Sequence, residues 1–268
     1  MQENTFSKYS FSKRLKSMVK VDFRRMFTMP LYYIVLGVSL VIPILVLVMT
    51  TLMAGQETTD PNGNVVVMEQ MFTNVWQIIA SVPKPATEMT MDITTMCNID
   101  MMYFAVAVLM CLFVSSDFRS GYAKCLFTVR SNKIDYIISK SLVGFATGTT
   151  ILLSFLVGAL IGGSISNLSF GLVDVNIMNL VMCLLSKICL VAVFVSIFLV
   201  MSLVGKQRTW LSMILSFGVS MLLFMMVSSI SPLNSTIINL VLSLVGGILF
   251  SVGIGFISNL ILKKTSLV

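Results

Sequence analysis

Uninterrupted apolar runs about as long as a bilayer is thick dominate this 268-residue chain. The first, LYYIVLGVSLVIPILVLVMTTLM, contains no charged residue and is longer than the roughly 20 residues that a membrane-spanning helix needs. Hydrophobic residues make up 57% of the chain and charged residues 11%, with a mean hydropathy of +0.97, which excludes an ordinary soluble domain. The sequence therefore predicts an all-α integral membrane protein with six transmembrane helices, at 31–53, 101–116, 137–163, 180–204 (or from 188), 210–230 and 237–262.

The basic residues predict the orientation of these six helices. If the N-terminus is inside, sixteen of the eighteen Lys and Arg residues fall on the inner side, which leaves only Lys84 and Lys187 for the other side. We expect a multi-pass protein of a bacterial cell membrane with both termini cytoplasmic. The inner set is Lys8, Lys13, Arg14, Lys16, Lys20, Arg24, Arg25, Arg119, Lys124, Arg130, Lys133, Lys140, Lys206, Arg208, Lys263 and Lys264.

Several kinds of chemistry have no support in the sequence. The chain has no histidine, and no G-x-x-x-x-G-K-[ST] loop that would bind ATP. Its five cysteines form no CxxC pair and no disulfide pattern. The net charge of +7 is spread over the ends of the apolar runs, which argues against nucleic-acid binding. We expect no metal and no cofactor in this chain, no catalytic residue and no cleaved signal peptide.

The segment before the first span, residues 8–29, has the pattern of an amphipathic helix lying in the headgroup plane. A disordered basic tail is the alternative. The apolar face would comprise Phe11, Leu15, Met18, Val19, Phe23, Met26 and Phe27. The membrane-surface residues of the other face would be Lys13, Lys16, Lys20 and Arg24.

A long outer loop, 54–100, separates the first two spans. After a turn-rich stretch, GQETTDPNGN, it predicts one further helix ended by Pro83 and Pro85. The apolar face of this helix would hold Met68, Met71, Phe72, Val75, Ile79 and Val82. Such a helix is either a packed lid or part of a substrate site, and the lid is the favoured interpretation.

The loop 117–136 lies on the inner side between the second and third spans. Residues 120–129, SGYAKCLFTV, predict a short helix, and Asn132 or Ser131 then caps the third span with Asp135 in its first turn. Tyr122, Leu126 and Phe127, with Lys124 and Arg130, would form a docking surface. The alternative is a basic anchor without a partner.

In its order of parts the chain resembles the ABC-2 type permeases, the membrane subunits of a class of ABC exporters. The resemblance rests on Asp117, Gly121-Tyr122, the segment 124–129, the turn Arg130-Ser131-Asn132-Lys133 and Ser139-Lys140. Tyr122 stands where the family commonly has threonine, and Asp117 where glutamate is more common.

The resemblance implies a permease that pairs with a second copy or a paralogue. It would be driven by cytoplasmic ABC ATPase subunits on separate polypeptides, which carry the ATP and magnesium. The 120–129 helix would be the coupling helix. The residues in contact with the ATPase would then be Asp117, Arg119, Gly121, Tyr122, Lys124, Leu126, Phe127 and Arg130. The cargo would be a hydrophobic or amphipathic molecule, such as an antimicrobial peptide or a lipid-like drug.

Charges inside the spans bear on the rival functions. The sequence predicts no acidic residue at mid-membrane, which argues against an ion-driven secondary carrier or channel, although neither this nor a sensor or assembly factor is excluded. Lys187 either snorkels to the outer interface, with 176–186 as a short outer helix, or faces a cavity, and the first is favoured. Asp117 and Arg119 form either a polar hinge or an ordinary salt bridge.

Small residues predict close helix packing at Gly144, Gly148, Gly158, Gly162, Gly246, Gly247, Gly253 and Gly255.

Overall fold

The protein is an α-helical bundle with one small β-hairpin. The computed structural model describes residues 11–59, 65–67, 70–80, 97–129, 133–171, 176–206 and 208–264. Within these residues the helices are α1 (Phe11–Thr28), α2 (Pro30–Met53), α3 (Met102–Arg119), α4 (Tyr122–Val129), α5 (Ile134–Ile165), α6 (Ile177–Gly205), α7 (Thr209–Ile230) and α8 (Ile237–Lys264). Two antiparallel strands, β1 (Glu57–Thr59) and β2 (Val65–Val67), follow α2.

Among the described residues, five segments are long and apolar enough to cross a membrane: Pro30–Met53, Ile99–Arg119, Ile134–Ile165, Ile177–Gly205 and Ile237–Leu262. This architecture is that of a multi-pass membrane protein. In α7 the apolar stretch Thr209–Phe224 is shorter than these five. A sixth span at 210–230 therefore stays a prediction, although the segment is helical over its whole length.

Consecutive long helices run in opposite directions. The two ends of the bundle differ chemically because they carry different segments of the chain. We call the end that carries α1, α4 and the start of α5 the basic end. The last turn of α8 belongs to it, because Lys133 Nζ donates to the Leu262 carbonyl oxygen at 2.6 Å. The opposite end carries the β-hairpin and the starts of α3 and α6.

Helix α5 is the centre of the bundle, and its glycines allow close packing. A Cβ on Gly144 would lie 2.6 Å from both Met110 Sδ and Val195 Cγ1, and one on Gly162 would lie 2.8 Å from Ile44 Cα of α2. The packing predicted for the α5 glycines is therefore confirmed. For Gly246, Gly253 and Gly255 of α8 it is wrong, since nothing lies within 4 Å of a Cβ there, and only Gly247 approaches a neighbour, the Cys189 carbonyl.

The helix predicted in the outer loop is not formed, and this prediction is wrong. A single 3-10 turn, Val75–Ile78, takes its place, capped by the Asn74 side chain. Backbone contacts to the segment after α5 favour the turn: Val75 N donates to the Ser169 carbonyl and Trp76 Nε1 to the Phe170 carbonyl at 3.1 Å. Phe72, Val75 and Ile79 are nevertheless buried. Met68, Val82, Pro83 and Pro85 lie outside the described residues.

Candidate functional site

A fully buried lysine at the basic end joins three helices. Lys140 of α5 places its Nζ 3.0 Å from Asp22 Oδ1 of α1 and 2.7 Å from Asp117 Oδ2 of α3. All three side chains are closed to solvent. A buried ammonium is tolerated only where carboxylates replace its water, so the position of Lys140 requires both aspartates.

Arg25 supplies the second positive charge of this cluster. Its Nη2 lies 2.7 Å from Asp117 Oδ1, and its Nη1 lies 4.0 Å from Asp22 Oδ1. Partial burial acts to lower the pKa of Arg25, but the charge of Asp117 and its hydrogen bond outweigh burial, and the net pKa is raised. Two carboxylates and two cations therefore balance. We call Asp22, Arg25, Asp117 and Lys140 the ionic cluster.

Hydroxyl and aromatic groups complete the surroundings of the ionic cluster. Ser139 Oγ donates to Asp22 Oδ2 at 2.5 Å, and Tyr136 OH donates to Asp117 Oδ2 at 3.0 Å. The Lys140 ammonium also lies 3.5 Å from the centre of the Phe113 ring, a cation–π contact. Because Tyr136, Ser139 and Lys140 are spaced by three and four residues, one face of α5 carries all three.

The ionic cluster explains how α1 is held. The face of α1 that packs on the bundle contains Met18, Asp22 and Met26, which are buried, and Arg14 adds an ion pair to Asp135 of α5 at 3.5 Å. The helix predicted at 8–29 is confirmed from Phe11 to Thr28, and residues 8–10 lie outside the described residues. Its predicted apolar face is partly wrong, because Met18 and Met26 enter the protein interior. The four membrane-surface candidates, Lys13, Lys16, Lys20 and Arg24, are all exposed.

Helix α4 lies directly on the ionic cluster. Gly121 has φ +75°, a left-handed conformation that suits glycine, and it turns the chain from α3 into α4. The Tyr122 ring then lies 4.2 Å from the Arg25 guanidinium carbon. Burial and the charge of Asp22 raise the pKa of Tyr122, although Arg25 opposes them, so its hydroxyl stays protonated.

The two faces of α4 have different surroundings. Phe127 packs edge-on against Tyr136, with ring centres 5.4 Å apart, and Leu126 is half-buried against the core. Tyr122, Leu126 and Phe127 therefore contact the protein's own bundle, and the exposed face of α4 consists of Lys124, Cys125 and Thr128. Tyr122, Leu126 and Phe127 are half-buried in these contacts, and their assignment to a docking face stays a prediction. Arg130, Ser131 and Asn132 lie outside the described residues.

Asp117 and Arg119 form neither of the two predicted arrangements, the polar hinge or the salt bridge with each other. Asp117 is buried and pairs with Arg25 and Lys140, whereas Arg119 is exposed. Residues two apart in a helix point to different sides, which explains why Asp117 faces the interior and Arg119 does not.

A second buried ion pair lies toward the opposite end. Lys187 Nζ of α6 lies 2.6 Å from Asp100 Oδ1, and both side chains are buried. The prediction that Lys187 snorkels beside a separate helix at 176–186 is wrong, because α6 is continuous from Ile177 to Gly205. The sequence placed Asp100 in the outer loop, whereas it lies in the 3-10 turn Ile99–Met101 that leads directly into α3. Tyr103 OH of α3 also donates to the Lys187 carbonyl at 2.9 Å.

The ionic cluster is a contact between helices. It ties α1, α3 and α5 together under α4, and Tyr122 of α4 lies against Arg25. The described residues contain no group of three His, Cys, Asp or Glu side chains that could hold a metal ion. Cys97, Cys111, Cys125, Cys183 and Cys189 are all free thiols.

Comparison of the chain with protein-family models, curated proteins and solved structures gives no significant match.

Proposed function

We propose that this chain is the membrane subunit of an ATP-driven exporter whose ATPase is a separate polypeptide. The observation that carries the proposal is α4, a short helix held between two membrane-length helices at the basic end, with Lys124, Cys125 and Thr128 left exposed. A helix in this position can receive a partner's movement. The resemblance to ABC-2 permeases supports the same function.

The ionic cluster gives this proposal a route from α4 to the spans. Tyr122 contacts Arg25, and Arg25 contacts Asp117 at the end of α3, which shares Lys140 with α1. Because breaking one partner of a buried charge pair is costly, the three helices are expected to move together. Charge-paired contacts of this kind transmit a displacement without a hinge.

The proposed cargo is hydrophobic or amphipathic, such as a peptide or a lipid-like molecule. The buried charged side chains of the described helices, among them Lys140 and Lys187, pair with other protein groups. An ionic substrate would need unpaired charges or polar groups to replace its water. The proposed working unit contains two permease copies, or the chain and a paralogue, with cytoplasmic ATPase subunits in a bacterial cell membrane.

A pull-down tests the proposal. The tagged chain, expressed with its neighbouring genes and purified in a mild detergent, is expected to bring down a P-loop ATPase at about equal stoichiometry. The variant Lys124→Glu/Thr128→Glu, altered only on the exposed face of α4, is expected to lose that subunit. Lys13→Glu/Ser17→Glu makes the same charge change at two exposed positions of α1 and is expected to retain it. Purification of the wild-type chain without any ATPase would contradict the proposal.

The Asp100–Lys187 pair favours a second candidate function, an ion-driven carrier. Ionisable residues within membrane segments are often parts of ion or proton pathways, and the sequence alone did not show this pair. Reconstituted chain that transports cargo in response to a proton gradient, with no ATPase present, would establish this candidate instead.

A further inference from the structure

A lateral groove of about 670 Å³ opens between α5, α6 and α8, toward the basic end. Its volume lies within the range of about 300–1,000 Å³ typical of sites for small ligands. Ile138 and Phe145 form one wall and Ile248, Val252 and Phe256 the other, and no lining residue is charged. Val252 and Phe256 are 68% and 64% exposed, so the groove faces outward, toward what would be acyl chains.

Few polar side chains line the groove. The hydroxyls of Ser196 and Ser251 both donate to the Ala192 carbonyl, at 2.8 and 3.2 Å, and Ser141 of α5 adds a third hydroxyl to the lining. Asn259, at the basic end, is only 8% exposed, and its amide has no hydrogen-bond partner among the described residues. The amide group of Asn259 lines the groove and has N–H groups that can donate, so this end of the groove is suited to a ligand that accepts a hydrogen bond.

The Lys133 side chain provides a positive charge just outside the Asn259 end of the groove. Lys133 precedes α5, and its Nζ contacts the Leu262 carbonyl, three residues from Asn259 in α8. An ammonium has three N–H groups, and this contact uses one of them. Lys133 is therefore able to bind an anionic group placed next to Asn259, as basic positions at the ends of membrane helices do with lipid phosphates.

The length of the groove matches one acyl chain of one leaflet. From Ile134 to Phe145 the α5 wall extends roughly 16 Å at about 1.5 Å per residue. Half of a hydrocarbon core roughly 30 Å thick is about 15 Å. A peptide in the groove would need hydrogen-bond partners for its backbone along that whole length, whereas most of the lining side chains are apolar.

We propose that this groove binds one acyl chain of an anionic phospholipid, with the lipid ester on the Asn259 amide and the phosphate near Lys133. The site is a lipid-binding site in its own right, and it does not depend on whether the chain works with an ATPase. A second copy of this chain would fill the apolar walls, but it would leave the Asn259 amide and the charge of Lys133 unexplained.

Photolabelling of the full chain tests this. The protein is placed in nanodiscs of equal parts phosphatidylglycerol and phosphatidylcholine, with a trace of phosphatidylglycerol carrying a diazirine on one acyl chain. Labelled peptides are expected from 134–145 and 244–259, and unlabelled phosphatidylglycerol is expected to compete better than phosphatidylcholine. Lys133→Gln is expected to remove that headgroup preference.

Two glycines of α8 provide a matched pair of variants. Neither Gly255 nor Gly253 has an atom within 4 Å of a Cβ, but only Gly255 lines the groove. Gly255→Phe fills the groove and is expected to lower the labelling of both peptides about fivefold, corresponding to loss of a contact of moderate strength. Gly253→Phe is expected to leave it unchanged. Equal labelling in the two variants would overturn the proposal, as would crosslinks between two copies of the chain through the groove.

Discussion

At Lys140, one ammonium contacts two carboxylates that come from different helices. Lys140→Met would leave Asp22 and Asp117 buried near one another with Arg25 as their remaining cation. Because breaking a buried ion pair leaves an uncompensated charge, we expect the free energy of unfolding to fall by about 3–5 kcal/mol. Thermal unfolding in detergent, followed by tryptophan fluorescence, measures the loss.

Lys124→Met is the control for Lys140→Met, since it removes the same charge from an exposed site. Its effect is expected to stay within about 0.5 kcal/mol. Adding Asp117→Asn to Lys140→Met removes one of the two carboxylates and is expected to recover part of the loss. Equal melting temperatures for Lys140→Met and Lys124→Met would show that the ionic cluster does not hold the helices.

Asp100 and Lys187 permit a double-mutant cycle. Each single change, Asp100→Asn or Lys187→Met, leaves the other charge buried without its counter-ion. The double variant removes both charges, so its stability is expected to exceed the value obtained by adding the two single losses, by about 0.5–3 kcal/mol. Melting temperatures of the four proteins check this, and strictly additive losses would mean that the pair contributes no mutual stabilisation.

At the scale of elements, the contact between α2 and α5 depends on the absence of a side chain at Gly158. A Cβ there would overlap the Leu40 carbonyl oxygen and lie 2.8 Å from Pro43 Cγ. Gly158→Ala is therefore expected to destabilise the bundle by about 1–3 kcal/mol through overpacking. Gly37→Ala, in α2 with nothing within 4 Å of a Cβ, is expected to be neutral or stabilising by up to about 1 kcal/mol. A melting temperature of Gly158→Ala at or above that of Gly37→Ala would exclude tight packing at this crossing.

The elements themselves were largely predictable because length and apolar content are local properties of a sequence. The six predicted runs coincide with the long helices α2, α3 and α5–α8 to within three residues at each end. The ionic cluster was not predictable, because Asp22 and Lys140 are 118 residues apart and charge alone placed both at a membrane surface. The inward face of α4 and the 3-10 turn at Val75 were missed for the same reason, since each depends on a distant segment against which it packs.

At the scale of the whole molecule, the two buried ionic contacts lie toward opposite ends of the bundle. The ionic cluster joins α1, α3 and α5 at the basic end, and the Asp100–Lys187 pair joins the 3-10 turn Ile99–Met101, which leads into α3, to the first half of α6. Helix α3 and this turn together take part in both contacts, and Val106 and Met110 in the middle of α3 are buried. A displacement received at α4 would therefore act on a helix that is fixed by charge near both ends.

The orientation of the bundle in the membrane is testable with thiols at its two ends. Cys125 is exposed on α4 at the basic end, and Gln56 is exposed beside the β-hairpin at the other. In variants with a single cysteine, a membrane-impermeant maleimide added to intact cells is expected to modify Gln56→Cys at once and Cys125 only after permeabilisation. The physical reason is the excess of Lys and Arg at the basic end, which favours retention of that end on the cytoplasmic side.

Cys111, which is buried, is the control and should react only after unfolding. Labelling of Cys125 but not Gln56→Cys in intact cells would invert the orientation, and α4 would then face away from any cytoplasmic ATPase.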